Sequence, residues 1–198
     1  MAVASQPVLS PPLLTYEDYL AEGEVNRLYD IVDGVRIYPM ASPTVDHQET
    51  VINILELLRV YQRATRRGRA LTAPLDVLVS RNPLRTRQPD VLFISRERLE
   101  EAGGRFLEGP LTTAPELAVE VLSGSDTRRA RADKIADYTA VGVTECWLAS
   151  GEAETIEQLR LTLDGPERVA IHGSGQTLRS IAFPDLALSV DDVFRYDE

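Results

Sequence analysis

Pro115-Glu116-Leu117-Ala118-Val119-Glu120-Val121-Leu122 is too short for a helix of ordinary length and too apolar for a strand with one wet face. It reads as a β-strand covered on both sides, hence one from inside a sheet. Alternation places Leu117, Val119 and Val121 on one face and Ala118, Glu120 and Leu122 on the other. Glu120 is then a carboxylate within an apolar strand. Burying such a charge is costly unless it is paired or binds a metal. An ion pair with one of the many arginines is the first alternative, and a metal site the second.

Working outward, Ser123-Gly124-Ser125-Asp126 is a turn in which Ser125 or Asp126 caps a helix running to about Ala140 and stopping at Gly142. Thr144 to Ala149 forms the next strand. On the N-terminal side, Gln88-Pro89-Asp90-Val91-Leu92-Phe93-Ile94 is a strand with its proline at the entry, where no ladder hydrogen bond is needed. Arg81 to Arg87 reads as a polar turn, and Ala70–Thr72 and Leu75–Val79 as short strands around Pro74. Ser42-Pro43 caps a helix whose apolar set, Val51, Ile54, Leu55, Leu58 and Tyr61, follows the helical period and which ends near Arg67-Gly68. Further upstream, Asp33-Gly34 joins two alternating runs as a hairpin, and Thr15 caps a short helix over Tyr16 to Leu20. Strands are expected again over Thr155–Thr162, Arg168–Ile171 and Thr177–Ile181. The order helix, hairpin, helix, strands, helix, strands predicts a mixed α/β or α+β domain on one central sheet. Residues 1–12, with Ser5, Pro7, Ser10, Pro11 and Pro12, read as a flexible leader, and 13–198 as a single domain.

Composition narrows the chemistry. The 198 residues suffice for one domain with its own core, and the single cysteine, Cys146, leaves no internal disulfide framework or cysteine-rich zinc site. Two histidines, His47 and His172, are too few for a histidine-dominated metal centre. The net charge of −10 argues against a generic nucleic-acid coat, though not against an enzyme that meets DNA transiently. No stretch is long and apolar enough for a membrane span, and the first residues lack signal-peptide character, so a soluble cytoplasmic protein is expected. Of the 21 basic residues 20 are arginines, which makes Lys134 the chain's one lysine and its one side-chain ammonium. Arginine and lysine part company where a compact ammonium beside a reacting group is needed.

Asp90 repeats the oddity of Glu120, an acid at the start of an apolar strand. Its alternative role is to bond local backbone N–H groups. If the two strands are neighbours, both acids can enter one pocket, and two hard oxygen ligands suit magnesium or manganese. Lys134 follows Glu120 by 14 residues, on the helix leaving that strand, with Arg131 and Tyr138 on the same helix face. There it can orient a water or stabilise a phosphate; the alternative is an exposed lysine paired with Asp133 or Asp137. Arg81-Arg85-Arg87 and Arg128-Arg129-Arg131 flank these acids and are candidates for local phosphate contacts. His47, on the inward face near a helix start, is either a water or phosphate contact or a buried structural histidine. His172 reads as a loop residue and Cys146 as a small core residue. No nucleophile elbow, Walker A or Rossmann glycine pattern is present.

In order and spacing these segments resemble the PD-(D/E)XK nuclease superfamily, and within it the Uma-type family of putative restriction endonucleases. The resemblance runs through Thr15-Tyr16-Glu17-Asp18-Tyr19, Tyr29-Asp30-Ile31-Val32-Asp33-Gly34, Ser42-Pro43…His47, Pro74-Leu75-Asp76-Val77, Gln88-Pro89-Asp90-Val91, Val119-Glu120-Val121-Leu122-Ser123, Arg131…Lys134…Tyr138 and Gly142-Val143-Thr144-Glu145-Cys146-Trp147-Leu148. It implies a restriction-endonuclease-like core, a central mixed sheet flanked by helices. It further implies a Mg²⁺- or Mn²⁺-dependent endonuclease hydrolysing DNA phosphodiester bonds. The metal ligands would be Asp90 and Glu120, with Asp76 as a third, and Lys134 would serve water and phosphate. His47, Asp30, Tyr138 and Arg131 are its supporting residues. Two positions depart from the pattern: the superfamily's usual lysine position is Leu122, so the role passes to Lys134, and Asp30 stands where relatives commonly have Glu. Cutting both strands takes two sites, which suggests a homodimer. Two other readings remain: a catalytically inactive binding module on the same fold, and a metal hydrolase of a small phosphorylated substrate.

Overall fold

The computed structural model describes residues 12–23, 28–39, 42–104, 108–124 and 127–196. The expected leader therefore lies, Pro12 apart, outside the described residues, and so do the proposed caps Ser125 and Asp126. In chain order the elements are α1 (Tyr16–Ala21), β1 (Asp30–Val32), β2 (Val35–Ile37), α2 (Val45–Thr65), β3 (Gly68–Thr72), β4 (Val77–Arg81), β5 (Leu84–Arg87), β6 (Val91–Ser95), α3 (Arg96–Glu101), β7 (Leu117–Leu122), α4 (Arg128–Val141), β8 (Glu145–Ser150), β9 (Thr155–Thr162), β10 (Gly165–His172), β11 (Thr177–Arg179), β12 (Ala187–Ser189) and α5 (Val190–Val193).

A six-stranded sheet, order β10-β9-β8-β7-β6-β3, forms the centre. It is mixed: β7 and β8 run parallel and the other neighbouring pairs antiparallel. The parallel pair needs a crossover, and α4 supplies it. A smaller antiparallel sheet, β2-β1-β5-β4, stands apart from the central one, as does the pair β11-β12.

Strand β7 is buried on both sides, as its composition requires. Leu117, Val119 and Val121 join Val51, Ile54, Leu58 and Tyr61 of α2 in the larger core. Ala118 and Leu122 join Ile135 and Tyr138 of α4 on the opposite face. The C-terminal segment closes the α2 side with Phe183, Leu186, Leu188, Val190, Val193 and Phe194.

Local chemistry accounts for most ends. Thr15 and Asp18 form a reciprocal capping box on α1. Asp33 (φ 51°) and Gly34 (φ 78°) make the positive-φ turn that an Asp-Gly hairpin demands. Four expectations are corrected. The cap of α2 is Thr44, whose hydroxyl accepts from His47 N–H, not Ser42. That helix ends in a left-handed Arg66, and Gly68 instead opens β3, where a Cβ would lie 2.2 Å from the Ile94 carbonyl oxygen. Arg81–Arg87 is not a turn: it contains β5, paired with β4 around Asn82-Pro83. Likewise His172 belongs to β10, its Nε2 3.0 Å from Gln158 Oε1. Cys146 is a buried core residue, as expected.

Candidate active site

Strands β6 and β7 pair antiparallel with Val91 opposite Val119 and Leu92 opposite Ala118. One step further, Asp90 falls opposite Glu120, and opposed residues of an antiparallel pair leave the sheet on one face. That face is the one covered by α4. Pro89 keeps Asp90 at the strand's entry. There Asp90 Oδ2 accepts from Val121 N–H at 2.7 Å. This bond crosses to the strand of Glu120, so Asp90 is tied to the strand of its partner acid.

Thr127 caps α4, its hydroxyl accepting from Ala130 N–H. Lys134 and Tyr138 then stand at i and i+4 on the side facing β7. The Lys134 ammonium donates to Glu120 Oε2 at 2.7 Å, and the Tyr138 hydroxyl donates to Oε1. The lysine's partner is thus Glu120 rather than Asp133 or Asp137. Burial pushes Glu120 up to about 7, with the Lys134 charge opposing and the Asp90 charge adding to the rise. For Lys134 burial acts downward, but the charges of Glu120, Asp30 and Asp90 outweigh it and hold the ammonium above its usual range. Tyr138 is pushed up by burial and then by Glu120, so it remains a protonated donor.

The other candidates surround this group. His47 lies in the first turn of α2, its Nε2 3.8 Å from Asp90 Oδ1. Asp30 accepts from Gln88 N–H at 3.0 Å and from Arg87 Nη1 at 2.9 Å. Asp76 is buried and accepts from the Tyr19 hydroxyl at 2.6 Å and from Gln88 Nε2 at 3.0 Å. Asp30 and Asp76 are therefore both joined through Gln88 to the segment that delivers Asp90. Arg131 lies one turn before Lys134, with its Nε buried and without a hydrogen-bond partner among the described residues.

Arg85 and Arg87 do not offer free guanidinium groups to phosphates. Arg87 Nε donates to Asp137 at 2.6 Å and Arg85 Nε to the same carboxylate at 2.8 Å, while Arg85 also reaches Asp33. Arg81 lies over the Tyr16 ring. Sequence reasoning missed Gln88 and Asp137 as parts of the site, and it expected Arg87 as a phosphate contact rather than as the partner of Asp30 and Asp137. Only the adjacency of Gln88 to Pro89-Asp90, and of Asp137 to Tyr138, marked those two.

Among the described residues no three His, Cys, Asp or Glu side chains gather into a metal cage. Magnesium needs none: one or two carboxylates suffice, with water and phosphate oxygens completing the octahedron. Asp90 and Glu120, two hard oxygen donors sharing one face of the sheet, fit Mg²⁺ or Mn²⁺ and do not suit zinc. No helix among the described residues is long and apolar enough to cross a membrane.

Residues 15–191 match the family model Uma2, described as a putative restriction endonuclease. The fold is similar to the crystal structure of a putative nuclease belonging to DUF820 from Anabaena variabilis, with a TM-score of 0.73 and 18% identity over 91% of this chain and 97% of that one. At that identity the likeness is one of fold. No curated protein sequence matches.

Proposed function

The chain belongs to the Uma2 family of putative restriction endonucleases, and from that membership we propose that it is a metal-dependent endonuclease hydrolysing DNA phosphodiester bonds. The observation that carries the reading is the meeting of Asp90, Glu120 and the chain's one lysine on a single face of the sheet. Asp90 and Glu120 would hold Mg²⁺ or Mn²⁺, and such an ion polarises a phosphoryl oxygen and lowers the pKa of an attacking water. Asp76, already held by Tyr19 and Gln88, is the outlying candidate for a third ligand.

The chain's own groups supply the rest. Lys134 brings a fixed positive charge to the place where a phosphate gains negative charge during attack. Tyr138 holds one Glu120 oxygen and so fixes the carboxylate's orientation. The Val121 N–H holds one Asp90 oxygen and leaves the other directed toward His47. A homodimer acting transiently on DNA in the cytoplasm is the working assembly, because two strand cuts take two such sites.

The test is cleavage of duplex DNA by the purified chain with Mg²⁺ or Mn²⁺. Asp90→Ala, Glu120→Ala and Lys134→Ala are each expected to lower the rate by about 10²–10⁴-fold, the usual worth of a positioned charged or acid–base group. A wild type that cuts neither DNA nor RNA with either metal defeats the proposal.

One observation favours a second reading, a non-catalytic binding module. Both Glu120 oxygens are already engaged, by Lys134 and Tyr138, so the carboxylate is satisfied without an ion. Calorimetry separates the two: heat from Mn²⁺ binding that disappears in Glu120→Gln rejects the module, and its absence in wild type supports it.

A further inference from the structure

Beside the site runs a buried chain of charges in which Arg87 is the shared member. Its guanidinium is almost wholly covered, and Nε donates to Asp137 Oδ2 at 2.6 Å while Nη1 donates to Asp30 Oδ2 at 2.9 Å. Asp137 lies on α4 three residues after Lys134 and next to Tyr138, the two residues that grip Glu120. Arg87 itself lies three residues before Asp90, and the Asp30 carboxylate that it holds also accepts from Gln88 N–H. One guanidinium thus links the helix bearing the lysine to the segment bearing the first acid.

Arg87 makes this link from a different sheet. β5 belongs to the small sheet, while Glu120 and the strand that Asp90 leads into belong to the central one. Arg85 also holds Asp137, but its other arm goes outward to Asp33, not toward Asp90. A guanidinium suits the bridging task because it presents donors in two fixed directions, one to each carboxylate.

We propose that Arg87 and Asp137 are positioning residues: their bridge sets the placement of Lys134 against Asp90 and Glu120, so the small sheet serves as the gauge of the active site. Neither touches substrate; both act through Lys134. The kinetic part of this inference rests on the nuclease reading, and the structural part does not.

The solitary lysine makes the structural part directly measurable. A full-length chain labelled with [¹³C,¹⁵N]lysine gives one side-chain signal set, that of Lys134. The variants are Asp137→Asn, which keeps the side chain's shape, and Arg87→Met. The control is Leu58→Ala, which opens the core on the opposite face of the sheet and lowers stability without touching the bridge. In both bridge variants the Lys134 signals are expected to move toward those of the urea-unfolded chain, while Leu58→Ala keeps the wild-type signals despite a lower Tm. On DNA, kcat is expected to fall on the order of 10²-fold, the effect of misplacing a reacting group by about 1 Å, with KM little changed. Combining Asp137→Asn with Lys134→Ala should slow the enzyme no further than Lys134→Ala alone.

Wild-type Lys134 signals in both variants overturn the proposal, whether or not DNA is cut. Additive losses in the double variant overturn it too, since they show Asp137 acting other than through the lysine. If both variants fail to fold, the bridge is a folding element and the positioning role is lost. A wild type without nuclease activity defeats the proposed function only, and the lysine spectra still decide this inference.

Discussion

Glu120 carries two conflicting demands, burial and ionisation. Its raised pKa, about 7 against an ordinary 4.5, means that between these pH values the folded chain keeps a proton that the unfolded chain has released. The group's contribution to stability is therefore complete below 4.5 and is lost as pH rises to about 7. Thermal melts of the metal-free protein across that window should show wild type losing Tm relative to Glu120→Gln as pH rises; a constant difference would contradict the burial argument. A divalent ion competes with the same proton, so Mn²⁺ affinity should climb with pH up to about 7 and then level off, by calorimetry. Tyr138→Phe removes a hydroxyl bonded to this carboxylate and should cost about 2 kcal/mol, the worth of a hydrogen bond to a charged group. Denaturant melts at pH 8 measure it.

Element ends and pairings rest on individual side chains that no periodicity announces. Glu145 opens β8 fully buried. It accepts from Trp147 Nε1 at 2.6 Å, Gln158 Nε2 at 2.7 Å, Ser180 Oγ at 2.5 Å, and the N–H groups of Ile181 at 2.9 Å and Ala182 at 3.0 Å. This one carboxylate pins the segment after β11 to the central sheet. Glu145→Ala strands several buried donors and should cost at least about 3 kcal/mol, given roughly 1–3 kcal/mol for each unsatisfied group. Trp147 is the single tryptophan, so its fluorescence reports the unfolding without ambiguity. Gly68→Ala drives a methyl into the β6 backbone and should destabilise by about 2 kcal/mol or more in the same assay. Neither role was legible beforehand. Glu145 sat among apolar neighbours without a visible partner because its donors come from segments distant in sequence. Gly68 looked like a helix stop, since glycine after a helical run usually is one. The α4 face carrying Arg131, Lys134 and Tyr138 was legible, because helical spacing alone aligns residues three and four apart.

The assembled molecule is a sheet with a core on each side. α2 and the C-terminal segment cover one face and α4 the other, with the small sheet braced against α4 through Arg85, Arg87 and Asp137. The α2-side core takes six buried apolar side chains from residues 183–194. Each is worth about 1.5–3 kcal/mol, so together they match or exceed the whole stability of an ordinary domain. A chain ending at residue 176 should therefore fail to fold cooperatively, by circular dichroism and thermal melting. If it folds, the C-terminal segment is an appendage rather than part of one domain.

Sequence patterning by itself determined the covered strand at 117–122, the faces on which its residues lie, the Asp-Gly hairpin, the helix bearing Lys134, and the set of acids to watch. All of these follow from periods of two and 3.6 residues and from the cost of placing charge in apolar surroundings, which act within a few positions of the chain. Tertiary structure alone decided that Asp90 faces Glu120 across an antiparallel register, that Lys134 pairs with Glu120, and that Arg85 and Arg87 both pair with Asp137 of the helix. Those outcomes depend on which strands become neighbours and which of 20 arginines reaches which of 31 acids. Charge attraction has no direction or period along the chain, so only the packed fold can select the pairs.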